Sequence, residues 1–145
     1  MLIRSVVAVF LGALLAAALV SGSTASIAAG ADKAPPSATA APLMTRDLIS
    51  GPDKEVVMLT VTYPPAGASL PHRHDAQVFV FVLEGELTMQ VRGGPAVTLR
   101  PGQTFYESPD DIHEVSANAS KTAPAKFLVV MIKDKAKPGT RAVAE

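Results

Sequence analysis

The chain has 145 residues, with 13 basic and 13 acidic side chains, three histidines, no cysteine and no tryptophan. At roughly 100–200 residues per domain this length holds one domain and excludes a two-domain architecture. The charge balance gives no pull toward nucleic acid or an acidic membrane surface, the missing cysteine excludes disulfides, thiolate catalysis and thiolate metal sites, and an aromatic content of 5% disfavours a surface for stacking bases.

Arg4 and the free amine precede an unbroken apolar run at residues 6–20, and small residues follow as far as Ala29-Gly30-Ala31. A positive start, an apolar run and a small-x-small triplet predict an export signal over residues 1–31, cleaved after Ala31 and leading to the periplasm or beyond. A membrane anchor needs about 20 apolar residues and this run has 15, so a tethered periplasmic domain is the second reading. Without Arg4 the mature chain carries 12 basic residues against 13 acidic ones. Residues 32–42 are mostly Ala, Pro, Ser and Thr, and Pro35, Pro36 and Pro42 predict a disordered linker there. Residues 43–133 form the folded domain, and residues 134–145, charged and carrying Pro138-Gly139, read as a flexible, frayed tail.

Within the domain, short stretches rich in Val, Thr, Phe and Leu are separated by Pro and Gly clusters. Strands are predicted over residues 56–63, 78–83, 87–91, 97–99, 104–107, 112–117 and 126–132. They stop in turn at Pro64-Pro65, Glu84-Gly85, Gly93-Gly94-Pro95, Pro101-Gly102, Pro109 and Asn118. Turn signals about every 8–12 residues, with no helical period, are the pattern of an all-β sandwich or barrel. The fold class is therefore all-β, a small antiparallel β-barrel or jelly roll closed enough to hide its edges. Phe79, Val80, Phe81, Val82, Phe105 and Phe127 are its core candidates.

His72 and His74 stand two apart where the strand of residues 78–83 is entered, and His113 follows 39 residues later, just beyond Pro109-Asp110-Asp111. Side chains at i and i+2 of a strand share a face. The pair can thus offer nitrogens to one ion at about 2.0–2.1 Å, and closing a barrel can set His113 opposite. A solvated His-Arg-His stretch has the same local sequence, and alone the pattern is weak.

Spacing adds context. The order Gly67-x4-His72-x-His74-x3-Val78-x6-Gly85, then Gly102-x6-Pro109-x3-His113, resembles the two motifs of the cupin superfamily. Local matches are Leu70-Pro71-His72-Arg73-His74, Val82-Leu83-Glu84-Gly85-Glu86-Leu87 and Leu99-Arg100-Pro101-Gly102-Gln103. The resemblance covers residues 56–132 and is greatest to small single-domain cupins with a Phe-Tyr-Glu-x-Pro stretch before the last histidine. It implies a double-stranded β-helix barrel and a divalent metal ion (Fe, Mn, Ni, Cu or Zn) held by His72, His74 and His113. It also implies a homodimer paired through an edge strand, for which residues 43–48 are the candidate. Three departures stand out. Val78 occupies the position where the family has a glutamate as fourth ligand, Asp110 or Asp111 stands where glycine is favoured, and Gly67 is one residue nearer His72 than usual.

Three neutral imidazoles with open positions make a sound metal site, and without a carboxylate such a centre favours an anionic substrate or hydroxide. Gln77 supplies an oxygen ligand only if a bulge overturns the alternation that sets it opposite Val78. Tyr106 and Glu107 lie on the strand leading to His113, and alternation sends one inward and the other outward. The inward one is the candidate catalytic acid or base. For Glu107 the alternatives are the missing anionic ligand, or a solvated residue paired with a lysine. One of Asp110, Asp111 and Glu114 can orient the outer nitrogen of His113. Arg73 points away from the metal, and Arg92 and Arg100 are expected to be exposed.

Two functions follow. One is an exported metal-dependent enzyme acting on a small oxygen-bearing molecule, dioxygenase-like if the resemblance to diketone and flavonol dioxygenases holds. The other is a non-catalytic module that captures a small ligand or a metal. An inward Tyr106 or Glu107 favours the first, and a pocket of histidines and apolar walls alone favours the second. A barrel that has lost both metal and activity is a third reading, hinted at by Val78. The partner in the first two is a small molecule, with no nucleic acid and no membrane once the signal is removed. Ligand identity does not select the metal.

Overall fold

Eleven strands and no helix form within residues 34–143, the part of the chain that the computed structural model describes. The expected export signal and its cleavage site lie outside the described residues. In chain order the strands are β1 (Thr39–Leu48), β2 (Gly51–Tyr63), β3 (Ala68–Ser69), β4 (His72–Arg73), β5 (Ala76–Glu84) and β6 (Leu87–Val91). There follow β7 (Val97–Leu99), β8 (Thr104–Glu107), β9 (His113–Asn118), β10 (Ala125–Asp134) and β11 (Arg141–Ala142). They build two antiparallel sheets, one ordered β1-β2-β10-β5-β8 and the other β11-β4-β9-β6-β7, with β3 also paired to β9. This is the all-β jelly roll that the punctuation of the sequence predicts.

The core lies between the sheets and follows from alternation. Ala76, Val78, Val80 and Val82 of β5 and Ala125, Phe127, Val129 and Met131 of β10 face inward, against Leu87, Met89 and Leu99 of the second sheet. Fully burying a Val, Leu or Phe side chain stabilises by about 1.5–3 kcal/mol, which commits β5 and β10 to this facing. Phe79 and Phe81 were expected in the core and are not there. They sit on the outer face of β5, 42% and 40% exposed. An unbroken apolar run carries no phase, so sequence alone does not separate its two faces. Register aligns Tyr106, Phe79, Val130, Met58 and Met44 in one apolar row across all five strands of the first sheet.

Both ends of the domain depart from expectation. Residues 39–42, assigned to a disordered linker, are the start of β1, with Thr39 opposite Thr62 and Pro42 opposite Leu59. Strand pairing uses backbone groups, which alanine supplies as well as valine does, and β1 is an edge strand where proline is tolerated. Further upstream, the Pro36 carbonyl accepts the Ala68 N–H at 3.2 Å. The tail is not frayed either. β10 extends to Asp134, and residues 141–142 return as β11 against β4.

Gly85 closes the turn between β5 and β6 at φ +74°, and a Cβ there would lie 2.6 Å from the Pro124 carbonyl oxygen and 2.8 Å from Ala125 Cα. Only backbone could yield, so both the conformation and the space demand glycine. Gly85→Ala is expected to destabilise the domain by about 1–3 kcal/mol. In urea unfolding this appears as a lower midpoint with an unchanged slope; an unchanged midpoint would show that the turn relaxes freely.

Candidate metal centre

The short strand β4 meets β9 through one register pair, His72 opposite His113. Their rings stand 5.0 Å apart, and the His74 ring lies edge-on to His72 at 4.8 Å. One ligating atom from each of the three histidines falls within 4.8 Å of the others. The three predicted ligands therefore meet, from chain segments far apart in sequence. β9 achieves this with a bulge: Val91 pairs with His113 and Gln90 with Val115, leaving Glu114 as the extra residue. The added residue reverses alternation, so His113 and Ser116 are both buried, as simple alternation over three positions would not allow.

Two of the rings have their protons placed by the backbone. His72 Nδ1 lies 2.7 Å from the Leu70 carbonyl oxygen, and His74 Nδ1 lies 2.9 Å from the Gly139 carbonyl oxygen. A carbonyl only accepts, so each Nδ1 holds the proton and each Nε2 keeps its lone pair, the form a metal needs. Burial is the main force on His72, holding its pKa below the ordinary 6.5; the Leu70 carbonyl opposes this, and the nearby His74 and His113 rings add to it.

His113 is 3% exposed, and among the described residues neither of its ring nitrogens has a hydrogen-bond partner. Glu107 Oε2 stands 3.0 Å from His113 Nδ1 and 3.9 Å from His74 Nε2. The 3.0 Å approach does not have hydrogen-bond geometry. An unpartnered buried polar group costs about 1–3 kcal/mol, which a bound cation removes. Three imidazoles suit a divalent first-row metal.

Glu107 owes its position to strand register, because β8 pairs with β5 so that Glu107 lies directly opposite Val78. Its carboxylate enters the cavity one strand away from the position where the resemblance expects glutamate. Of the two candidates on β8, Glu107 is the inward one, 2% exposed. Tyr106 is not in the site. It points outward, half exposed, and packs on Phe79. Gln77 is likewise excluded as a ligand: the β5–β10 pairing carries alternation through it without a shift, and its side chain is exposed. Nor do the acids near His113 orient it. Asp111 accepts the Ser108 N–H at 2.7 Å and Glu114 pairs with Arg92 at 2.6 Å. Arg100, exposed as expected, pairs with Glu86.

The site opens into a cavity of about 480 Å³. Leu59, Val61, Val80, Phe127 and Val129 form its apolar walls. Its second polar feature is the Tyr63 hydroxyl, held between Ser69 Oγ at 2.6 Å and Ser116 Oγ at 2.8 Å. Sequence reasoning did not find these hydroxyls, nor Gly139 and Thr140 at His74; no motif joins residues 53 or 65 positions apart.

The family model described as Cupin domain matches residues 59–131, just over half of the sequence. No curated protein matches the chain. Among solved structures it is similar to the DMSP lyase DddQ from Ruegeria pomeroyi DSS-3, at 20% identity and a TM-score of 0.58, over 73% of this chain and 51% of the lyase. It is similar to an oxalate oxidase in complex with the substrate analogue glycolate, at 24% identity and a TM-score of 0.57, over 73% of this chain and 55% of the oxidase. A cupin-like protein from Thermotoga maritima MSB8 aligns at 18% identity and a TM-score of 0.58, over 74% of this chain and 77% of that one. The chain spans about half the length of the lyase and the oxidase. At these identities the likeness establishes the fold.

Elemental analysis should find a divalent metal in the native protein and little in the His72→Ala/His74→Ala double variant; equal content in both would remove the site. A second expectation concerns pH. Because the folded-state pKa of His72 is lowered, the unfolded chain takes up its proton first, and stability of the metal-free protein falls as pH drops through 6.5. His72→Gln should flatten that part of the stability–pH curve, and an unchanged curve would refute the assignment.

Proposed function

This chain belongs to the cupin domain family, and on that premise we propose that it is a metal-dependent, dioxygenase-like enzyme acting on a small oxygen-bearing molecule. The observation that carries the proposal is the inward carboxylate of Glu107, buried in the cavity and in contact with two of the three imidazoles. A divalent metal bound by His72, His74 and His113 supplies Lewis-acid polarisation of a substrate oxygen and, where redox-active, electron transfer with dioxygen.

The protein's own groups do the rest. Glu107 Oε2 accepts a proton from an enol or phenol placed beside it, since a carboxylate within hydrogen-bond reach of an acidic O–H is a general base. The apolar walls keep water from competing. The Tyr63, Ser69 and Ser116 hydroxyls offer a hydrogen bond to a second polar group of the substrate, and the cavity volume limits the substrate to a small molecule. An oxalate oxidase that holds glycolate, with the same fold, supports small-molecule chemistry in such a barrel.

The proposal extends to location and assembly. The apolar run at residues 6–20 supports export to the periplasm. A second copy of the chain is the partner we propose. β1 is exposed along nearly its whole length and ends the first sheet, so its outer edge carries unpaired backbone groups. The apolar row from Tyr106 to Met44 runs up to that edge, and a homodimer burying about 800 Å² per partner would cover both.

An oxygen-electrode screen of the metal-loaded protein against small diketones, enols and phenols tests the activity. Glu107→Gln is expected to lower turnover about 10²–10⁴-fold while metal is retained. Saturable binding of these compounds without turnover in the native protein would replace the enzyme with a ligand-capture module. Light scattering should report a dimer, and a monomer at micromolar concentration would count against the shared edge.

A further inference from the structure

After β10 the chain turns at residues 134–138 and returns along the cavity. The turn is firmly pinned. The Lys137 N–H donates to the Asp134 carbonyl at 3.1 Å, and Lys133 Nζ donates to the Lys137 carbonyl at 2.7 Å while pairing with Glu55. Gly139 then lies close on Met131, where a Cβ would stand 3.3 Å from Met131 Cε.

The next two groups reach a single atom. The Gly139 carbonyl oxygen is 2.9 Å from His74 Nδ1, and Thr140 Oγ1 is 3.0 Å from it. β11 then adds to β4, with Arg141 opposite Arg73 and Ala142 opposite His72, and Arg141 Nε donates to Asp75 at 3.0 Å. Thr140, Arg141 and Ala142 also line the cavity.

We infer that residues 139–142 are a positioning element of the metal centre, so that docking of this segment and metal binding are thermodynamically coupled. The inference rests on the metal-binding reading of the three histidines. Its physical basis is the contrast between two ligands. His72 is held by Leu70, two residues away, and that hydrogen bond is local. His74 is held by a carbonyl 65 residues further along the chain, on a segment that among the described residues joins the sheet through two register pairs, with Arg141 and Ala142 exposed. When the segment is docked, the acceptor at Nδ1 fixes the tautomer with a lone pair at Nε2 and fixes the ring plane. When it is undocked, the ring rotates and the proton is free to occupy either nitrogen. Coupling of this kind is reciprocal: whatever factor docking adds to metal affinity, metal adds to docking. Elements with few tertiary contacts open locally far more often than the core does, so both sides of the coupling are measurable.

The test combines Zn²⁺ titration calorimetry with amide hydrogen exchange. The proteins are the full chain, a chain ending at Pro138, and the Thr140→Val/Arg141→Ala double variant. Zn²⁺ affinity is expected to fall about 10–100-fold on truncation, the usual effect of losing the group that orients a ligating histidine. The double variant, which keeps the Gly139 carbonyl, should show a smaller loss. In the full chain, Zn²⁺ should slow exchange at residues 139–142 by a factor matching the affinity ratio, beyond any slowing in β6. Equal affinities in the three proteins, or exchange at residues 139–142 indifferent to Zn²⁺, would overturn the coupling. Should truncation unfold the barrel, the double variant and the exchange data on the intact protein decide. A full chain that binds no Zn²⁺ removes the metal centre itself, whereas tight binding without any effect on the segment removes only this inference.

Discussion

A carboxylate sealed among imidazoles sets the terms for the rest of this molecule. Glu107 is 2% exposed, and its ionic contacts among the described residues are with His113 and His74. Withdrawing a carboxylate from water is unfavourable by several kcal/mol unless a positive charge stands beside it. Among the described residues no lysine or arginine pairs with it: Lys133 is turned to Glu55, Arg141 to Asp75 and Arg92 to Glu114. Protonating the imidazoles is opposed at His72, where burial disfavours the charged ring. A divalent cation held by the three imidazoles would take one of the two unpartnered His113 nitrogens and set positive charge near the carboxylate.

That arrangement also explains how much of the site could be read from the sequence. The His-x-His pair and its distant partner were legible because alternation and family spacing both act over short stretches. Glu107 was legible only as one of two candidates, since deciding between it and Tyr106 requires the register of β8 against β5. The bulge at Glu114 left no local sign, yet it is what turns His113 and Ser116 to the same face. Tyr63, Ser69 and Ser116 converge through the closure of the barrel, which no pattern of single residues encodes.

The errors at the two ends of the domain share one cause. Composition reports what a side chain can bury, while β1 and β11 are held chiefly by backbone pairing to β2 and β4. Thr39-Ala40-Ala41-Pro42 has little to bury and still forms a strand, and a charged tail with Pro138-Gly139 still returns to the sheet. The misplacement of Phe79 and Phe81 has a different origin. β5 is apolar on both faces, so its periodicity gives no phase. Its outer row, Phe79 and Phe81, stays 42% and 40% exposed.

Val78 is where the two lines of reasoning meet. Taken alone, a valine in place of the family's glutamate points to a barrel that has given up its metal. In the sheet, Val78 faces Glu107 across one register pair, and neighbouring strands lie only about 4.8 Å apart. A carboxylate projecting inward from β8 therefore reaches the space that one projecting from β5 would fill. The register pair thus sets an inward carboxylate near His113 and His74, beside the position where Val78 offers none, on the strand that leads into the turn before His113.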